Sequence, residues 1–350
     1  MIFSLDDITP QALTTLLSHA ALLPSGQVTG IHFQPEETVP FGSAHPLYHL
    51  ALKYANAENQ PPERLFLKFS KSHKEYFFYT HIAPALGIPY LVKCYHAGYD
   101  AQTDQTCLLL EDLSATHFQT EWPLPPSEAL CFQIVERLAE IHARGWQQPL
   151  LESDFRPALP AGRSWADRIA LAIAQLPAFL NFLGDRLPPA RRAVYERILS
   201  SSYPWDAPPG SSNLTLTHGD FHVWNVLYPR NPAGDIALDT LRFFDWNMWD
   251  IGRPSDDLAY LIALHWYPER RERLERKLLS YYFDHLCEYG ITEYNWNTFW
   301  RDYRLSITRS LLIPVWQWAR GTHPAVWWPH LERGLLAFED LECSDIIAPL

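Results

Sequence analysis

The sequence predicts an α+β fold in two lobes, a small antiparallel sheet followed by a larger, mainly helical domain. Two observations set the order of the lobes. Short apolar runs bounded by turn residues fill the first 110 positions, and from Asp256 onward the apolar spacing is helical. A third sets the scale: 350 residues, 47% hydrophobic and 14% aromatic, are enough to bury two cores.

Apolar positions Leu13, Leu16, Leu17, Ala20 and Ala21 follow Thr9-Pro10, which predicts a capped helix within residues 3–21. Val28 to Phe33, Leu47 to Tyr54 and Arg64 to Phe69 read as strands, with a turn from Pro40 to Pro46. Ser72 to Leu86 is helical in pattern. Leu91 to Gly98 and Thr106 to Leu110 read as two more strands, and Trp122 to Pro126 is Pro-rich. The boundary is drawn at residue 112, giving domains 1–112 and 113–350. Ala129 to Arg144 is an amphipathic helix, 146–163 a loop, and 164–201 helical with an interruption from Asn181 to Pro189. Residues 203–212 are a loop, and Leu214 to Thr217 a short strand. Strong helical stretches follow at 256–266, 270–289 and 296–320.

Composition excludes several classes. A net charge of −12 argues against nucleic acid as a partner, because phosphates demand a basic face. It also disfavours an anionic membrane surface, and no apolar run approaches a membrane span. The five cysteines are scattered without a C-x-x-C pair, so a disulfide framework or zinc site is not expected and a cytoplasmic location is. Oligomeric state is open between monomer and homodimer.

The residues with chemistry cluster late. His218-Gly219-Asp220-Phe221-His222-Val223-Trp224-Asn225 precedes Phe244-Asp245-Trp246. This supplies what phosphoryl transfer from a nucleotide requires, a base near an acceptor hydroxyl and two oxygen ligands for Mg2+. Asp220 is the candidate base, with Asn225 and Asp245 the metal ligands. Two protein oxygens suffice, since magnesium keeps water and phosphate oxygens in its shell. Lys68 alternates in register with its strand and is the candidate phosphate-binding cation, with Glu75 as its ion-pair partner; Lys71 and Lys74 read as solvated. Phe41-Gly42-Ser43-Ala44 is a one-glycine turn whose backbone amides, around Ser43, suit phosphate. His218 reads as a packed structural histidine. Asp257 opens a helix, where a carboxylate is favoured by the dipole, and Asp256 competes for the cap. Aromatic crowding from Trp296 to Trp328 reads mostly as core.

Together, His218-Gly219-Asp220-x-x-x-x-Asn225, Phe244-Asp245-Trp246 and Gly252-x-Pro254-x-x-Asp257-Leu258-Ala259 resemble the aminoglycoside phosphotransferase and choline kinase-like superfamily. Leu108-Leu109-Leu110-Glu111-Asp112-Leu113-Ser114 looks like the interlobe hinge of its ecdysteroid kinase-like members. The likeness runs from about Val28 to Leu305. It implies a two-lobed protein-kinase-like fold, with ATP (or GTP) in a cleft and its base against the backbone from Glu111 to Leu113. It implies Asp220 as the catalytic residue, Asn225 and Asp245 on Mg2+, Lys68 on the phosphates and Asp257 bracing the catalytic loop. The acceptor would be a hydroxyl on a small molecule. One departure stands out: Trp246-Asn247-Met248-Trp249 replaces a common acidic residue after the metal Asp, which weakens a polycationic acceptor. A non-catalytic nucleotide-binding or interaction module on the same fold is the alternative. A protein kinase is disfavoured, because the stretch from Asp245 to Asp257 is too short for an activation loop.

Overall fold

The computed structural model describes residues 4–36, 46–58, 60–200, 211–230 and 240–346. The chain divides into two compact units, Met1–Trp122 with Trp224–Asn247, and Pro123–Val223 with Met248–Leu350. The segment Trp224–Asn247, expected within 113–350, thus groups with the sheet.

The first unit is built on five strands: β1 (Gln27–Pro35), β2 (Leu47–Ala55), β3 (Arg64–Lys71), β4 (Cys94–Asp100) and β5 (Gln105–Glu111). Their order is β1-β2-β3-β5-β4 and every neighbouring pair is antiparallel. Strand alternation sorts β3: Leu65, Leu67 and Phe69 are buried in the core under helix Pro10–His19, while Phe66 and Lys68 point to the other face. Thr9 caps that helix by accepting from the Ala12 N–H at 3.1 Å, and Pro10 occupies its first position. The opposite face of the sheet carries an apolar cluster of Val92, Leu108 and Leu110, joined by Phe66, Leu113, Leu227 and Phe244.

Three short strands complete the unit: β6 (His117–Phe118), β8 (Val226–Pro229) and β9 (Arg242–Phe243), antiparallel in the order β6-β8-β9. The expected helix from Ser72 to Leu86 forms with a widened centre. His73–Phe77 is α-helical, Phe78–Ile82 makes a π-turn in which the Ala83 N–H reaches Phe78 O, and Ala83–Leu86 resumes. Pro84 explains the widening, since its ring clashes with the carbonyl of a regular preceding turn. Lys74, expected to be solvated, is 1% exposed.

The second unit is helical around a two-stranded pair, β7 (Thr215–Thr217) with β10 (Asp250–Gly252). Glu128–Gly145 packs chiefly on Pro268–Glu288. Trp165–Leu183 is capped by Ser164, whose hydroxyl accepts from the Asp167 N–H, while Asp167 reaches back to the Ser164 N–H. By length and composition alone Trp165–Arg186 is apolar enough to cross a membrane, which corrects the sequence reading that no run approaches that length. Ile169, Ala172, Leu176, Phe179, Leu180 and Leu183 are buried, and the helix packs chiefly on Ile313–Ala319. The single helix expected over 296–320 is two, Trp296–Ser310 and Ile313–Ala319, because Pro314 has no N–H to continue the first. Pro324–Asp340, a helix the sequence reading did not single out, closes the unit.

Candidate active site

The first unit gathers one set of candidate residues. Lys68 projects from β3, and its ammonium lies 2.8 Å from Glu75 Oε2 and 2.6 Å from Asp245 Oδ1. Burial alone would lower the Lys68 pKa, but Asp245 and Glu75 outweigh it and hold the ammonium above its ordinary value. Burial raises Glu75, with Lys68 opposing. The helix start that carries Glu75 is fixed twice. Ser72 Oγ accepts from the Lys74 N–H at 3.1 Å, and Thr106 of β5 donates to Ser72 O at 2.7 Å.

Asn225 and Asp245 are brought to one end of a hairpin by register. Val226 pairs with Phe243, so Asn225 and Phe244 are the next residues out, and the Phe244 N–H bonds Asn225 O at 3.3 Å. Asp245 adopts a left-handed backbone at φ 64°, uncommon for a residue with a side chain and concentrated at functional sites. Its carboxylate is 30% exposed. Trp246 anchors it: the indole stacks on Phe78 with ring centroids 4.1 Å apart and planes 8° apart, and both rings are buried. Trp246, the first of the four residues that stand in place of an acid, therefore ties Asp245 to the broken helix that carries Glu75.

In the segment expected to act as a hinge, the Glu111 N–H bonds Lys93 O at 2.9 Å. Asp112 accepts from His49 Nδ1 at 2.8 Å, Arg64 Nε at 3.1 Å and the Ser114 N–H at 2.9 Å. Leu113 packs into the apolar cluster beside Phe66 and Leu227, and its carbonyl accepts from the Thr116 and His117 N–H groups. Ser43 and its turn lie outside the described residues.

The second unit holds the other set. Asp257 accepts from the His218 N–H at 2.7 Å and the Gly219 N–H at 2.9 Å, and His142 Nε2 is 3.2 Å away. The His142 ring is itself held by Tyr282 Oη at 2.7 Å. Asp257 is 1% exposed, so these bonds stabilise a desolvated carboxylate by fixing the loop in front of Asp220. Asp256 does the capping, accepting from the Arg253 N–H at 3.1 Å and pairing with Arg309 at 3.0 Å. His218 is 1% exposed and packs edge-on to Phe221.

Asp220 follows this braced turn with its carboxylate 29% exposed and His222 Nε2 at 3.8 Å. The Tyr260 hydroxyl donates to Asp220; burial, then the Asp220 charge, push the phenol well above its ordinary pKa. Sequence reasoning missed Tyr260, although its place three residues after Asp257 puts it on the same helix side. It also missed Arg168, whose charge is felt by Asp220 and Asp250. The aromatic crowd is partly occupied by the protein's own cations: Arg276 lies 4.6 Å from the Trp296 ring and 4.2 Å from Trp300.

Comparison with known proteins bears on the fold and the family. Among solved structures, a choline/ethanolamine kinase family protein from Mesorhizobium loti superposes with a TM-score of 0.51 at 14% identity, over 91% of this chain and 92% of its own. Choline kinase from Cryptosporidium parvum gives 0.52 at 11%, over 90% of each chain. A thermostable mutant of aminoglycoside phosphotransferase APH(4)-Ia, in ternary complex with ADP and hygromycin B, gives 0.51 at 14%, over 93% and 98%. At these identities the likeness is one of fold, and the fold is the two-lobed, kinase-like α+β one. No curated protein matches by sequence. The model of the phosphotransferase enzyme family matches residues 58–293, well over half of the chain, so this protein belongs to that family.

Proposed function

We propose that the protein transfers the γ-phosphate of ATP to a hydroxyl of a small molecule, with magnesium. The observation that carries this reading is Lys68 held between Glu75 and Asp245 at 2.8 and 2.6 Å, a cation fixed beside a candidate metal ligand. Family membership supports the reaction class, and a structure of the same fold holds ADP.

The donor set suits magnesium. Asn225 and Asp245 offer hard oxygens at one hairpin end, and no group of three His, Cys, Asp or Glu among the described residues forms an all-protein cage. That is the partial shell which phosphate and water oxygens complete around Mg2+. Held by Asn225 and Asp245, such an ion would supply charge neutralisation to the transferring phosphoryl group.

The residues then divide the work. Lys68, kept cationic by its two carboxylates, binds phosphate oxygens. The apolar face of Phe66, Leu113 and Leu227 receives the nucleobase. Asp220, oriented by the Tyr260 hydroxyl, accepts the acceptor's proton. The acceptor oxygen bonds to the γ-phosphorus as the bond to the β,γ-bridging oxygen breaks, and ADP leaves.

Asp220→Asn tests this. General-base removal is worth about 10²–10⁴-fold, so phosphorylation should fall by that factor while magnesium–ATP analogue still raises the thermal midpoint. Unchanged turnover in Asp220→Asn would sink the assignment. Nucleotide binding without turnover across a broad acceptor panel would point to a binding module instead.

A further inference from the structure

Arg168 lies in the first turns of helix Trp165–Leu183 and is 7% exposed. Guanidinium carries five N–H donors. Among the described residues Arg168 uses one hydrogen bond, to Met248 O at 3.2 Å. The head group lies 5.6 Å from the Trp165 ring and 5.9 Å from Trp316, so aromatic faces hold it without satisfying its donors. Its remaining donors open onto a cavity, where a carboxylate would form charge-assisted bonds stronger than those to a neutral acceptor.

The space beside it is a small cavity that Arg168 lines with Trp165, Thr217, Gly219, Asp250 and Tyr260. Its volume is about 30 Å³. One water needs roughly 10–15 Å³, so the space takes a group with about two oxygens. Gly219 immediately precedes Asp220, and Tyr260 donates its hydroxyl to Asp220, so the cavity adjoins the proposed base.

The carboxylates around the cavity already have donors. Asp250 accepts from the Trp165 N–H at 2.6 Å and the Ile251 N–H at 2.7 Å. Asp256 is held by Arg309 and Ser306, and Asp257 by the His218 and Gly219 N–H groups. Asp250 and Asp220 act on Arg168 through space, but no carboxylate among the described residues bonds its guanidinium directly, so its remaining donors are left for a group in the cavity.

We infer that Arg168 binds a carboxylate of the acceptor, so that the substrates are hydroxylated carboxylic acids and not amino alcohols or polycations. The inference rests on the phosphotransferase reading above and narrows it. The acceptor's hydroxyl oxygen forms the bond to the γ-phosphorus of the nucleoside triphosphate, its proton passes to Asp220, ADP departs, and the carboxylate is unchanged on Arg168.

Two measurements on the full chain test it. In a thermal-shift titration, sodium glycolate should raise the midpoint of the wild type but not of Arg168→Gln, while choline chloride at equal ionic strength does neither. In a transfer assay with magnesium–ATP, hydroxy acids of graded length are compared with their primary amides and with amino alcohols of equal length. Hydroxy acids should exceed their amides by at least ~30-fold in kcat/KM, the equivalent of about 2 kcal/mol for a desolvated charge pair. That ratio should collapse in Arg168→Gln through the acceptor's KM, with the KM for ATP unchanged. Arg168→Lys, which keeps the charge, should recover part of it. Preference for amino alcohols, an acid-to-amide ratio that survives in Arg168→Gln, or no stabilisation by glycolate overturns the inference. No transfer to any acceptor together with no stabilisation by magnesium–ATP analogue overturns the underlying reading instead, and the glycolate comparison still decides whether Arg168 is an anion site.

Discussion

Gly219 has a left-handed backbone at φ 78°, and a Cβ there would meet Met248 O at 2.1 Å. Gly290 is also left-handed, at φ 97°, but a Cβ there meets nothing within 4 Å. The pair separates two costs. Gly290→Ala should lose only the backbone penalty, about 1–2 kcal/mol, while Gly219→Ala should lose distinctly more and take phosphorylation with it. Urea denaturation of both variants checks this, and equal losses would show that the Met248 carbonyl gives way freely. Lys68 and Glu75 were legible at this scale because strand alternation and a first-turn acid are local signals. The Asp220 to Asp245 set was proposed from chemistry and order. Trp246, Tyr260 and Arg168 were not. Each acts through a neighbour distant in sequence, and an aromatic or an arginine in an apolar helix reads as core or surface without that neighbour.

Strand β2 is joined to the end of β5 by a titrating pair. His49 bonds Asp112 at 2.8 Å and Glu36 at 2.9 Å. Burial pulls His49 down, but the two carboxylates outweigh it and raise its pKa above 6.5. Burial pushes Asp112 up, but bonds from Ser114 and His49 outweigh it and hold it below 3.8. A raised histidine stabilises fully below its unfolded value, and that stability is lost as pH rises through the folded value. A lowered carboxylate stabilises above its unfolded value and loses this as pH falls. The stability gap between wild type and His49→Gln should therefore be widest between pH 3.8 and 6.5 and narrow on either side. Thermal unfolding across pH measures it, and a gap that grows above neutrality would contradict the pairing. Most elements were legible from period and caps. The misplaced boundaries fall at prolines: Pro84 widens a helix, Pro314 splits one, and Pro324 starts one that the sequence reading passed over.

At the scale of the molecule, the two-lobed class was legible from strands giving way to helices, but the membership of each unit was not. Strands β8 and β9 are too short to announce themselves, and their partners lie more than a hundred residues earlier: His117 pairs with Pro229, and Leu91 bridges Phe243. A fragment of residues 1–122 should consequently fold poorly alone, and more cooperatively when 224–247 is appended through a flexible linker. Circular dichroism melts of both fragments test this, and a sharp melt for 1–122 alone would refute it. The same interleaving bears on engineering by recombination. Because the first unit takes its last piece from the middle of the other's sequence, no single crossover exchanges one unit intact. A chimera meant to import a relative's acceptor preference must replace 123–223 and 248–350 together and leave the native 224–247 between them, a double graft around a retained island.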